Sequence, residues 1–263
     1  SAISVTVATV ERGEVVVLER HNYGPAVNLA ARTLVGDWDN PEALLQLARQ
    51  VDVVTLENEF VNATSLATLA QFGYQVFPSA TTLGLIQDKF LQKQTLQQAG
   101  VPVPRFCQVT SKEAIGTAAG TLGWPLVLKA RRHGYDGKGN ATVRAAGDID
   151  AAWDKLGGAH NALFVEEFCP FRAELAVMLT RGRSGEMVAY PLVESLQQEH
   201  ICHIVKAPAT VSAEVQECAL DIARRAMLTM DGVGSFGVEM FLMPDGAVLV
   251  NELLRFHLCM EIQ

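Results

Sequence analysis

The sequence predicts an α/β unit over the first 80 residues and, after a helix that ends at Gly100, a strand-rich α+β remainder. Three observations carry this. Short β-branched runs alternate with helical spacing as far as Phe77. The segment Gly100-Val101-Pro102-Val103-Pro104 ends a helix and opens a new unit. From Ala162 onward, strand patterns dominate around one long amphipathic helix.

In the first unit, Glu14 to Leu18 is a β-branched run, and Pro41 to Gln50 has helical spacing behind a cap at Asp39 or Asn40. Val51 to Leu56 reads as a buried strand, Asn62 to Phe72 as a helix stopped by Gly73, and Tyr74 to Phe77 as a third strand. Such alternation favours a parallel sheet covered on both faces, with ligands beyond the carboxyl ends of the strands. Glu57 and Glu59 follow one of those ends. Ser79 to Ala99 reads as one helix and Ser111 to Leu122 as another. Pro125 to Ala130 and Ala141 to Arg144 read as strands around a loop containing Gly134, Gly137 and Gly139, and Asp148 to Leu156 as helical. Strands are expected at Ala162 to Phe168, Glu174 to Thr180, Met187 to Val193 and His203 to Ala207. A helix spans Ser212 to Met230, and a hairpin joins Ser235 to Leu242 with Ala247 to Glu252.

A chain of 263 residues with 49% hydrophobic and 19% charged residues can bury a core, which excludes intrinsic disorder and a disulfide-dependent miniprotein. Its apolar runs fall far short of the roughly 18 residues of a membrane span. A formal charge of -8 opposes a nucleic-acid backbone, and basic residues cluster only at Arg131-Arg132-His133 and Arg224-Arg225. Five cysteines without a CxxC pair or a zinc-spaced histidine pair fit a reducing compartment, and Ser1 to Val7 has no signal-peptide character. A cytoplasmic protein acting on small molecules, without nucleic-acid or membrane partners, is the expectation.

Several residues stand out chemically. Lys129 ends a run that otherwise looks buried, and a desolvated ammonium needs an anionic partner. The glycines after it let backbone N–H groups approach a phosphate, although neither GxxxxGK[ST] nor GxGxxG is present. Glu166 and Glu167 end a strand, and Glu174 opens the next. A strand end can pair with a heterocycle edge, and a carboxylate beside it can accept from both ribose hydroxyls. In the last hairpin, a two-residue Asp245-Gly246 turn sets Glu239 opposite Glu252. A three-residue Pro244 to Gly246 loop sets it opposite Asn251, and a bulge would then be needed to bring the acids together. Either way, two acids and an amide suggest oxygen ligands for a hard cation such as magnesium.

The order of these features resembles the ATP-grasp superfamily, and within it the N5-carboxyaminoimidazole ribonucleotide synthetase family. The resemblance rests on Asp52 to Glu59, Gln87 to Pro104, Trp124 to Gly139, Phe164 to Val177, Tyr190 to Ala209 and Gly237 to Leu253. It implies an ATP-grasp fold over residues 81–263 with a lid over residues 106–168. An incomplete Rossmann-like pre-ATP-grasp sheet over residues 1–80 would precede it, and the family's C-terminal domain would be missing. It also implies that Lys89 and Lys129 contact ATP phosphates together with Gly134, Gly137 and Gly139. Glu166, Glu167, Phe168 and Cys169 would line the adenine, Glu174 the ribose, and Glu239, Asn251 and Glu252 would hold magnesium. Glu57, Tyr135, Asp136 and Lys138 would face bicarbonate and aminoimidazole ribonucleotide, while Arg255 and His257 echo an Arg-x-His pair one residue early. Cys169 and Cys202 are read as packing residues. The implied reaction is ATP-dependent carboxylation of the ribonucleotide through carboxyphosphate, and the family suggests a homodimer. A nucleotide-binding remnant or assembly subunit and a different ATP-grasp carboxylate-amine ligase are the alternatives.

Overall fold

Strands β1 (Val5–Ala8) and β2 (Val15–Glu19) lie close in sequence and pair antiparallel, with Val5 opposite Leu18 and Ala8 opposite Val15. In this computed structural model, residues 5–8, 14–56, 59–134, 139–198 and 201–255 are described. β3 (Arg32–Val35) joins the other side of β2 in parallel. The sequence pattern did not reveal β1 or β3, each only 4 residues long. Helix α1 (Pro41–Ala48) starts with proline at its first turn, and the Asn40 side chain accepts the Glu42 N–H. β4 (Val54–Thr55) and β5 (Val76–Phe77) pair in parallel but are 2 residues each, so the expected long strand Val51 to Leu56 is corrected to a short one. Between them lies α2 (Ala63–Gln71), capped by Asn62, with Gly73 at a φ of 84° just beyond its end. The expected single parallel sheet is thus two small sheets, one of them mixed. Val16, Leu18, Leu44, Leu47, Leu66 and Leu69 form their shared core.

The predicted helix from Ser79 to Ala99 is two helices. α3 (Ala80–Gln87) ends where Asp88 turns to extended backbone, with φ -112° and ψ 96°, and α4 (Lys89–Gln98) begins. The Asp88 carboxylate explains the break. It accepts the Leu91 N–H as a cap and receives both Arg131 Nε and Nη2, at 2.9 and 2.7 Å, in a bidentate pair.

A four-stranded antiparallel sheet follows, in the order β6 (Phe106–Val109), β9 (Leu163–Glu167), β7 (Leu126–Ala130), β8 (Asn140–Val143). α5 (Lys112–Leu122) and α6 (Ile149–Lys155) cover one face, burying Ile115, Leu126, Leu128, Val143 and Val165. The last sheet runs β13 (Ile201–Lys206), β12 (Val193–Gln198), β10 (Ala173–Arg181), β14 (Gly234–Leu242), β15 (Val248–Arg255), with β11 (Met187–Ala189) beside β10. The expected strand Met187 to Val193 is divided around Tyr190-Pro191, where proline has no N–H for a ladder. The 17-residue α7 (Ala213–Thr229) packs on one face of this sheet. Leu175, Val177, Phe236, Val238 and Met240 point into that core, so their alternates Glu174, Ala176, Glu239 and Phe241 point to the opposite face. That face carries the site.

Candidate functional site

The hairpin of β14 and β15 settles the open question of register. Met243 N–H bonds to the Ala247 carbonyl at 2.8 Å, leaving Pro244 to Gly246 as a three-residue loop. Met240 then opposes Val250, but Glu239 opposes Glu252, so Asn251 is the extra residue of a β-bulge. Side-chain directions change parity across it. Val248 and Val250 enter the α7 core before the bulge, and Leu253 enters it afterwards. Asn251 and Glu252 are therefore released to the cleft, which Asn251 lines with Glu174, Ser195 and Glu239.

Helix α4 meets this hairpin with one face, since positions 89, 92 and 93 are neighbours at helical spacing. Lys89 Nζ lies 2.8 Å from Glu252 Oε2. Lys93 Nζ donates to the Asn251 carbonyl at 2.8 Å. The same ammonium sits 2.9 Å from Glu166 Oε1, an ion pair outside hydrogen-bond alignment. Lys129, from β7, completes the cluster 2.7 Å from Glu166 Oε2 and 3.3 Å from Asn251 Oδ1. One carboxylate thus bridges two lysines from different elements, and the amide of the bulge touches one of them.

The electrostatics follow from burial and count. Burial opposes ionisation of Glu166, but Lys129 and Lys93 outweigh it and hold the acid below the usual carboxylate range. Burial also pulls the Lys93 ammonium down, since Glu166 is shared and Lys129 repels it. For Lys89, burial is outweighed by Glu252, Glu59 and Glu239, which raise its pKa. Burial first, then Glu252 and Glu174, push the Glu239 acid up to about 7, against Lys89 and Lys129. Lys93 and Lys129 share the single carboxylate of Glu166, whereas Lys89 faces the two acids Glu252 and Glu239.

Glu239, Asn251 and Glu252 are the residues that could hold a divalent cation. Glu239 and Glu252 oppose each other, Asn251 Nδ2 is 3.4 Å from Glu239 Oε2, and the donors are oxygens apart from that amide nitrogen. No three histidine, cysteine or acidic side chains converge as a metal site among the described residues. A cation here would complete its shell with water and nucleotide phosphate.

The other expected residues fall as follows. Gly134 and Gly139 meet at the neck of the glycine loop, where a Cβ on Gly139 would collide with Gly134 Cα. Gly137, Tyr135, Asp136, Lys138, Glu57 and His257 lie outside the described residues, and Arg255 pairs with Phe236 through its backbone. Glu166 is 2% exposed, and its carboxylate is the counter-ion of Lys93 and Lys129. Glu167 is turned to Arg105, accepting its backbone N–H at 2.8 Å and its Nε at 2.6 Å. Phe168 is exposed and Cys169 buried. Burial, with Glu167 and Glu166, pushes the Cys169 thiol up to about 11, which fits packing rather than nucleophilic use. Cys202 is exposed beside Ser195, so packing is not its role. Sequence reasoning missed Gln92, Lys93, Asp88 and Arg131. The available signals were Lys93 four residues beyond Lys89 on one helical face, and Arg131 two beyond Lys129.

The model of the ATP-grasp domain matches residues 94–257, and that of the ribonucleotide synthetase preATP-grasp domain matches residues 4–87. The chain is 39% identical to phosphoribosylaminoimidazole carboxylase of Schizosaccharomyces pombe, covering 82% of this chain and 39% of that protein. It is 37% identical to N5-carboxyaminoimidazole ribonucleotide synthase of Synechococcus elongatus, covering 89% of this chain and 58% of that one. The crystal structure of carboxyaminoimidazole ribonucleotide synthase from Aspergillus clavatus complexed with ATP superposes with a TM-score of 0.83 at 35% identity, covering 90% of this chain and 62% of the other. The ADP complex of N5-carboxyaminoimidazole synthetase from Staphylococcus aureus gives a TM-score of 0.86 at 28% identity, over 93% and 64% of the two chains. The chain thus spans between 39% and 58% of the length of these two curated relatives.

Proposed function

The chain belongs to the ATP-grasp family, and from that premise we propose that it uses ATP and bicarbonate to carboxylate 5-aminoimidazole ribonucleotide. The products are N5-carboxyaminoimidazole ribonucleotide, ADP and phosphate, a step of purine biosynthesis. One observation carries the reading: Lys89 and the Lys129–Glu166 pair contact the bulged Glu239, Asn251, Glu252 hairpin directly, in a chain similar to named synthases over most of its length.

A bicarbonate oxygen attacks the γ-phosphorus, and the bond to the β,γ-bridging oxygen breaks to release ADP. The carboxyphosphate then loses phosphate as its carboxyl carbon joins the exocyclic amine, which gives up a proton. Phosphoryl transfer of this kind depends on positioning and charge neutralisation more than on covalent help. Lys129, fixed by Glu166, presents a positive charge to the phosphates from the end of β7, and Lys89 does so from the start of α4. Glu239, Asn251 and Glu252 would hold magnesium, which when bound offsets charge on the phosphate oxygens. Glu166 to Cys169 contribute the strand end beside the adenine, Glu174 takes the ribose hydroxyls, and the sheet of residues 106–168 covers the nucleotide as a lid. Glu57, Tyr135, Asp136, Lys138, Arg255 and His257 serve bicarbonate and the ribonucleotide. ADP release that depends on bicarbonate and rises on adding aminoimidazole ribonucleotide is the expected result. A response flat to both would overturn the reading.

A further inference from the structure

Among the described residues β15 is the last strand of its sheet, so the backbone groups on its outer edge have no ladder partner there. They are satisfied by other parts of the chain, in a pattern that fits only the bulged register. Val250 N–H bonds outward to the Pro102 carbonyl at 2.8 Å. In a regular strand the next outward residue would be 252. Instead, the Leu253 N–H bonds to Gln92 Oε1 at 2.8 Å and the Leu253 carbonyl accepts Gln92 Nε2 at 2.6 Å. Gln92 is 1% exposed, and its amide supplies both the donor and the acceptor there. The carbonyl of the extra residue, Asn251, goes to Lys93.

We infer that Gln92, with Lys93, is a positioning residue that locks the bulge at Asn251 and thereby sets Glu252 opposite Glu239. A slip to the regular register puts Asn251 opposite Glu239 and turns Glu252 toward the apolar core under α7. Gln92 acts by occupying, as a side chain, the place of a neighbouring strand, and it selects residue 253 over residue 252. Neither side chain touches nucleotide in this account; both act through the backbone that carries the acids. The inference rests on the reading of Glu239 and Glu252 as cation ligands, and its test separates the two.

The test uses the whole chain with Mn2+ as probe, titrated in the presence of a non-hydrolysable ATP analogue and read by the resonance signal of free Mn2+. Calorimetry with chelator present gives the metal-free affinity for the same analogue, and hydrogen exchange follows the Val250 to Leu253 amides. Gln92→Leu should weaken Mn2+ binding about 10- to 100-fold, the usual scale for residues that orient ligands. It should also speed exchange at Leu253 while leaving metal-free analogue affinity near the parent's. Gln92→Glu, which keeps the volume and the acceptor for the Leu253 N–H, should fall between parent and Gln92→Leu and serves if the latter does not fold. Parental Mn2+ affinity in the variants, or equal loss of metal and metal-free analogue binding, overturns the inference. If the parent itself fails to bind Mn2+, the cation reading is lost, and exchange unchanged in Gln92→Leu then overturns the register lock as well.

Discussion

Glu166→Gln tests the cluster at its most buried point. The substitution keeps volume and removes the carboxylate that Lys93 and Lys129 share at 2.9 and 2.7 Å. Lys93 is 2% exposed, so water cannot replace the lost charge. Removing one partner of a buried ion pair costs about 3–5 kcal/mol. Lys93 keeps the Asn251 carbonyl and the introduced amide retains an acceptor oxygen, so the lower end, about 3 kcal/mol, is expected. The pH dependence has a definite sign. Glu166 has its folded pKa depressed below the unfolded value, so its contribution is present above the unfolded value and is lost as pH falls through the folded one. The gap between parent and variant should be full at neutral pH and narrow below about pH 4. Urea midpoints at unchanged slope measure it. Adding Lys93→Met should recover much of the loss, because no unpaired buried ammonium then remains at that position. A gap under about 1 kcal/mol at neutral pH, or one that persists undiminished in acid, would refute the reasoning.

Three further outcomes are expected. Glu252→Ala should abolish magnesium-dependent ADP release by deleting a ligand, and activity near the parent's would show the cation is held elsewhere. Glu239→Gln should raise stability in metal-free buffer above neutral pH by roughly 1–3 kcal/mol while lowering activity, since it relieves a buried like charge; an unchanged melting temperature counts against it. Gly139→Ala should depress kcat/KM at least about tenfold by forcing apart the neck of the glycine loop, and parental kinetics would place the loop away from the nucleotide.

Much of the fold was legible because local signals agreed with tertiary structure. The helix starts read at Asn62, Ser79, Ser111 and Ser212 fall on residues that cap helices in the structure, and of the two candidates Asp39 and Asn40 it is Asn40 that caps α1. The failures have physical causes. The break at Asp88 depends on Arg131, 43 residues away, and no helical periodicity reports a distant guanidinium. Strands of 2 residues such as β4 and β5 leave too little pattern to bound. In the site, Lys129, Glu239 and Glu252 were conspicuous as charges within apolar runs. Lys93 and Gln92 were not, because in an isolated helix they look like solvated polar residues. Their burial comes from the edge of β15 and from Glu166, both more than 70 residues further along the chain.

In the proposed reaction a bicarbonate oxygen, rather than water, attacks the γ-phosphate. Heavy-oxygen-labelled bicarbonate, supplied with ATP, magnesium and aminoimidazole ribonucleotide, tests it directly through the mass of the released phosphate. Each released phosphate should carry one labelled oxygen, and the ribonucleotide should gain a carboxyl group in equal amount. Unlabelled phosphate released at the same rate would contradict it.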